Sequence, residues 1–227
     1  MKKLTLTLTL LGLAAAAQAI EKSELEERIR KLSADFDAMQ ANPDKRIPAD
    51  KLRDAKGIIM MERTKAGFLF AYQGGGGLGM MKDPKTDKWG PLGFLGASEA
   101  NLGFLIGSQN SFLVVLLMTT NSVQALYGSS ADFGGEARAT GGDQSAGVKG
   151  TFPADTPSIL IYDDRHGLYA GAALKGGTIS PDDEANRVYY GQSWAMRDLL
   201  PGKYVKPTQQ AIDLAAKITP QPKPPKK

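Results

Sequence analysis

Leu25, Ile29, Leu32, Phe36 and Met39 recur at alternating steps of four and three, which places them on one face of a helix over residues 23–39. Glu24, Glu26 and Glu27 crowd its first turns, where the positive end of the helix dipole favours carboxylates. Asn42 and Pro43 break the chain. A short second helix is predicted over 48–56, with Pro48 in its first turn and Gly57 just past its end. From Gly57 the pattern changes to short apolar runs between glycines, and Gly57-Ile58-Ile59-Met60-Met61-Glu62 reads as a first strand. The stretch 65–82 follows, with Phe68 to Tyr72 apolar or aromatic in succession and four glycines, Gly74 to Gly77, behind them. It predicts a strand, a glycine turn and a second strand, the hairpin around which the chain is organised.

Residues 83–88 form a polar turn, and Trp89 opens a further short strand. Glycines recurring between residues 93 and 107 suit close approach of neighbouring strands. Residues 112–118, FLVVLLM, are the most apolar run beyond the N-terminus and predict a buried central strand. Thr120 and Asn121 are competent caps for a short helix over 122–127. The Gly/Ala/Ser/Asp-rich region 129–151 predicts only short strands, at 131–139 and 144–149. A hairpin is predicted from strands 158–162 and 167–174 around the turn at 163–166. Ser180-Pro181-Asp182-Asp183 starts a helix that stops at Gly191, and Ser193 caps a last one running into Leu200. The fold class is α+β: an antiparallel, β-rich sheet, sandwich or partial barrel flanked by N-terminal and C-terminal helices.

The first residues change the compartment. Lys2 and Lys3 precede an apolar segment, 4–16, that ends in Ala17-Gln18-Ala19. This is the pattern of a cleaved signal peptide, with cleavage after Ala19 and a periplasmic or secreted destination. The segment is shorter than the ~20 residues a permanent membrane helix needs. Residues 20–202 then form one folded body and 203–227 a basic Pro/Lys-rich tail with one weak helical stretch at 208–218. The net charge of +4 belongs to that tail. The body carries 20 Lys and Arg against 23 Asp and Glu, and the tail 6 against 1. A body so balanced argues against nucleic acid as a partner.

Candidate chemistry is sparse. Gly74, Gly76 and Gly79 match the G-x-G-x-x-G spacing, but Pro84, Gly90 and Pro91 exclude the helix whose N-terminus would hold a pyrophosphate. With one histidine, His166, no cysteine and no G-x-S-x-G, neither a nucleophilic triad nor a zinc site is spelled out, so no enzyme activity and no cofactor are expected.

Lys65-Ala66-Gly67-Phe68-Leu69 and its glycine-rich sequel, Trp89 with Pro91, Gly167-Leu168-Tyr169-Ala170-Gly171, and Asn186 with Tyr189-Tyr190-Gly191 occur in one order. In this order the chain resembles the SYLF domain over about residues 23–200. The family pattern carries an acidic residue where this chain has Lys175. The resemblance implies a non-enzymatic lipid-binding module, with phosphoinositides the ligands of eukaryotic members and actin a partner of some. Export disfavours actin, which is cytosolic, and leaves lipids or a membrane surface as the expected partner. Lys51, Arg53, Lys56 and Lys65 are the candidate contacts for anionic headgroups. An envelope scaffold that self-associates through the glycine-rich strands and basic tail is the alternative.

Overall fold

The computed structural model describes residues 20–67, 71–101, 107–127, 131–132, 158–164, 167–168 and 178–220. Helices α1 (Lys22–Ala41) and α2 (Ala49–Asp54) lead into four long strands, β1 (Gly57–Gly67), β2 (Ala71–Lys82), β3 (Trp89–Asn101) and β4 (Gly107–Leu117). Helix α3 (Thr120–Val123) continues into a 3-10 turn, Gln124–Leu126. Then come β5 (Ala131–Asp132), β6 (Ile159–Asp163), β7 (Gly167–Leu168), β8 (Thr178–Pro181), α4 (Asp183–Tyr190), α5 (Met196–Leu199) and α6 (Gln209–Ile218). The strands form one antiparallel sheet in the order β5-β8-β3-β2-β1-β4-β6-β7. The class is the α+β expected, realised among the described residues as one sheet with helices against it.

Alternation along the strands divides the core in two. Ile58 and Met60 of β1, Leu78 and Met80 of β2, Leu92 and Phe94 of β3 and Phe112, Val114 and Leu116 of β4 share one cluster with Leu25, Ile29, Leu32, Phe36 and Met39 of α1. Ile59, Met61, Leu95, Leu113, Val115 and Leu117 face the other way, onto Val123, Leu126, Met196, Leu199 and Leu200. Both faces of the central strands are therefore buried, which is why 112–117 reads as an unbroken apolar run rather than an alternating one. Each such side chain contributes about 1.5–3 kcal/mol on burial.

The glycine-rich hairpin differs from its expectation. Gly74 to Gly77 are not a turn; they lie inside β2, with Gly74 opposite Thr64 and Gly77 opposite Met61. At Gly77 and Gly79 the role is close approach. A Cβ on Gly77 would sit 2.5 Å from the Met60 carbonyl oxygen, and one on Gly79 2.8 Å from Cδ2 of Leu126. On β3, a Cβ on Gly93 would meet Met196 Sδ at 2.5 Å. Gly79 and Gly93 thus clear a floor on which the 3-10 turn after α3 and helix α5 lie.

The caps are also displaced. Ser180 and Pro181 belong to β8, and Asp182 caps α4, its carboxylate accepting from the Ala185 N–H at 3.0 Å. Thr119, one residue before the expected caps, accepts from the Ser122 N–H at 3.1 Å. The N-cap position of α5 is Ala195 rather than Ser193. At the C-terminus the folded body runs on past Gly202 through α6, because Ala211, Leu214 and Ile218 form a buried stripe in the first cluster and Lys217 pairs with Asp37 on α1. The predicted signal peptide, the strand predicted at 144–149, all but the first two residues of those predicted at 131–139 and 167–174, His166, Lys175 and the last seven residues lie outside the described residues. No helix among the described residues is long and apolar enough to cross a membrane.

Candidate functional site

At the end of β2 the ladder shifts register between Met80 and Lys82, and the chain turns back at 83–88 into β3. Asp83 builds the turn. Its Oδ1 accepts from the N–H of Lys85 and of Thr86, each at 2.8 Å, and from the Thr86 hydroxyl at 3.1 Å. Those backbone donors hold its carboxyl below the ordinary carboxylate range. The turn leaves Asp87 at φ 54, a left-handed conformation that aspartate tolerates better than most residues. Its carboxylate stands 3.8 Å from Lys56 Nζ and 3.7 Å from Lys82 Nζ.

The two lysines differ in freedom. Lys82 is 7% exposed; its ammonium donates to the Arg53 carbonyl at 2.5 Å, closing the C-terminal turn of α2, and lies 5.2 Å from the Trp89 ring centroid. Burial pushes its pKa down from the usual lysine value, partly offset by Asp87. Lys56, between α2 and β1, keeps 49% of its side chain exposed and is the more accessible cation of the two.

Together these residues rim a cleft of about 230 Å³, floored by Met81 and Val123 and closed by Thr120, Gln124 and Tyr127. The Tyr127 hydroxyl donates to Met81 Sδ at 2.8 Å, a weak acceptor, and burial raises its pKa so that it stays a neutral donor. The cleft offers two ammonium groups, a phenol, a hydroxyl and an amide to an anion, with Asp87 as the internal counter-charge. Among the described residues no group of three His, Cys, Asp or Glu is placed to hold a metal ion.

Of the four sequence candidates, only Lys56 lines this cleft. Arg53 contributes its carbonyl, and its side chain is exposed. Lys51 stands at the surface beside Asp50, at 3.6 Å. Lys65 lies opposite Gln73 and Gln109, eight residues up β1 from Gly57, or about 26 Å along the strand. The four do not form one cluster. Lys82, Asp87 and Tyr127 were absent from the candidates; a lysine directly after the Leu78–Met81 run and before Asp83-Pro84 is the signal that marks Lys82.

Residues 98–219 match the family model described as "Ysc84: Las17-binding protein actin regulator". The chain belongs to the Ysc84 family. The resemblance to the SYLF domain read from the motifs is the same assignment. Human SH3 domain-containing YSC84-like protein 1 is 31% identical over 169 residues, covering 74% of this chain and 49% of that protein. The Xenopus laevis protein of that name is 29% identical over 170 residues, 74% of this chain and 50% of its own. LAS seventeen-binding protein 3 of Saccharomyces cerevisiae is 27% identical over 169 residues, 72% of this chain and 36% of the relative. The chain therefore spans half or less of the length of these relatives. No solved structure matches it. Within this Ysc84-family chain the matched span supplies one wall of the cleft, Thr120 to Tyr127, whereas Lys56, Lys82 and Asp87 precede it.

Proposed function

We propose that this Ysc84-family chain is an exported, non-enzymatic module that binds anionic lipid headgroups at a membrane surface through the Lys56–Lys82 cleft. The observation that carries the reading is the charge arrangement there. Asp87 is 64% exposed on a turn and bridges two ammonium groups at 3.7–3.8 Å, so an incoming phosphate competes with one carboxylate for a preformed cationic pair. At about 230 Å³ the space is below the ~300–1,000 Å³ of pockets that enclose drug-sized ligands, which favours a headgroup over a buried acyl chain. Arg53, Lys85 and Lys88 are exposed nearby and add attraction of about 1 kcal/mol each near an anionic surface. Export rests on the Lys2-Lys3 start, the apolar segment and Ala17-Gln18-Ala19.

The test is binding to vesicles with and without anionic lipid, comparing the wild type with Lys56→Glu. Anionic vesicles are bound, binding falls with salt as exposed charges are screened, and Lys56→Glu loses most of it. Equal binding by the charge-reversed variant contradicts the cleft.

A second reading, contact with a protein partner, is favoured by the family's description as a Las17-binding protein actin regulator. Cosedimentation with actin filaments in the absence of lipid would support it.

A further inference from the structure

Trp194 and Tyr204 bracket the segment that connects α4 to α6. Their rings stack with centroids 6.1 Å apart and planes within 8° of parallel. Trp194 is half-buried, with its body against the second core cluster, but Tyr204 is 57% exposed, and Lys203 Nζ stands 5.0 Å from its ring centroid. Core packing accounts for the inner ring and leaves the outer one without a reason.

The pair sits on a fixed base. Leu199 and Leu200 are fully buried, the Leu200 carbonyl oxygen lies where a Cβ on Gly90 would be, and Gly202, at φ 69, packs on Pro91. Between Trp194 and Lys206 the charged residues are Arg197, Lys203 and Lys206, all exposed, against Asp198 alone. The stack also shares a face with the cleft. Tyr127, Trp194 and Val205 pack against the same cluster, and Gly90 is sandwiched between Leu200 and the Met81 backbone.

We infer that the Trp194–Tyr204 stack is an interfacial anchor that enters the headgroup layer of an anionic bilayer while Arg197, Lys203 and Lys206 meet its phosphates. Rings with an apolar body and a polar edge settle at that depth, and lysine or arginine beside them supplies the charge complement. The inference rests on the lipid-surface reading and extends it from headgroup contact to shallow insertion.

Trp89 and Trp194 are the two tryptophans of the chain, so Trp89→Phe leaves Trp194 as the sole reporter. Its emission is followed with vesicles of phosphatidylcholine alone and of phosphatidylcholine mixed with phosphatidylglycerol, each with plain or brominated acyl chains. The anchor predicts a blue shift and bromine quenching on the anionic vesicles. In the otherwise wild-type chain, Tyr204→Ala lowers affinity for them about fivefold or more while leaving the melting temperature unchanged. Trp194→Phe, with Trp89 kept, abolishes the shift and guards against a folding defect in the first variant. Vesicle binding with an unshifted, unquenched Trp194 and full affinity in Tyr204→Ala overturns the anchor and leaves headgroup binding standing. No vesicle binding by the wild type overturns both.

Discussion

Asn186 of α4 completes the sheet for Phe94 of β3. Its Oδ1 accepts from the Phe94 N–H at 2.7 Å and its Nδ2 donates to the Phe94 carbonyl at 3.2 Å. The β8 ladder ends with Leu95 opposite Pro181, so the Asn186 amide acts as the next rung. Tyr190 follows the same logic, its hydroxyl donating to the Leu92 carbonyl at 2.6 Å, and Tyr189 sets its ring edge-on to Phe94 at 5.2 Å. The Asn186, Tyr189-Tyr190-Gly191 motif is thus a clamp between α4 and the buried edge of β3 that β8 leaves unpaired, with Gly191 ending the helix at φ 69.

Asn186→Ala orphans the buried Phe94 N–H and is expected to cost about 2–3 kcal/mol. The Phe94 carbonyl keeps one donor, the Asp182 N–H at 3.0 Å. Tyr190→Phe is expected to cost about 1–2 kcal/mol by the same argument. Urea unfolding midpoints measure both; a loss under 0.5 kcal/mol, about the scatter of surface substitutions, would contradict the clamp in Asn186→Ala.

The glycines should not respond alike. A Cβ at Gly77 meets the Met60 carbonyl oxygen and one at Gly90 the Leu200 carbonyl oxygen, neither of which a rotamer change relieves. Alanine at either position is expected to destabilise by about 2 kcal/mol or more. Gly96 has nothing within 4 Å of its Cβ position, so Gly96→Ala is expected to be neutral or to gain up to about 1 kcal/mol. Similar thermal shifts for all three would sink the close-approach account.

Burial and, secondarily, the Asp50 carboxylate raise the Tyr162 phenol to about 12. Because the folded value exceeds the ordinary tyrosine value of about 10, the stability linked to Tyr162 is fully present below pH ~10 and is lost as pH rises through 12. Tyr190 is shifted upward too, by burial first. A phenolate absorbance titration of the folded protein should contain a late group that Tyr162→Phe removes, and that variant should lose less stability between pH 10 and 12. A Tyr162 that ionises near 10 would contradict the burial seen here.

Helix α1 was legible because its five buried side chains all face one core, a pattern that survives without knowing the partner. Strands such as β4 were legible because both of their faces are covered. The glycines of β2 were misassigned because a glycine that permits a turn and one that permits close approach look the same in sequence. At Gly76 and Gly77 the difference lies in Arg28 and Met60, whose proximity only the fold creates. Helix α6 was legible as a helical stretch at 208–218, but its docking on the body was not, because a buried stripe of three residues is too short to outweigh the basic residues around it. At the site, Lys56 could be read as a cation, but nothing local separates it from Lys65, which the register of β1 carries to the far end of the strand. Lys82 depends on a bulge and on the Asp83 turn, and both had to fold before it met Asp87.

The central claim is that an anionic membrane surface binds at the Lys56–Lys82 cleft, and cosedimentation of the protein with vesicles tests it most directly. Neutral and anionic vesicles are compared at low and physiological salt, for the wild type and Lys56→Glu. The account predicts binding to anionic vesicles that weakens with salt and is largely lost in the variant. Binding indifferent to lipid charge, salt and residue 56 would contradict it.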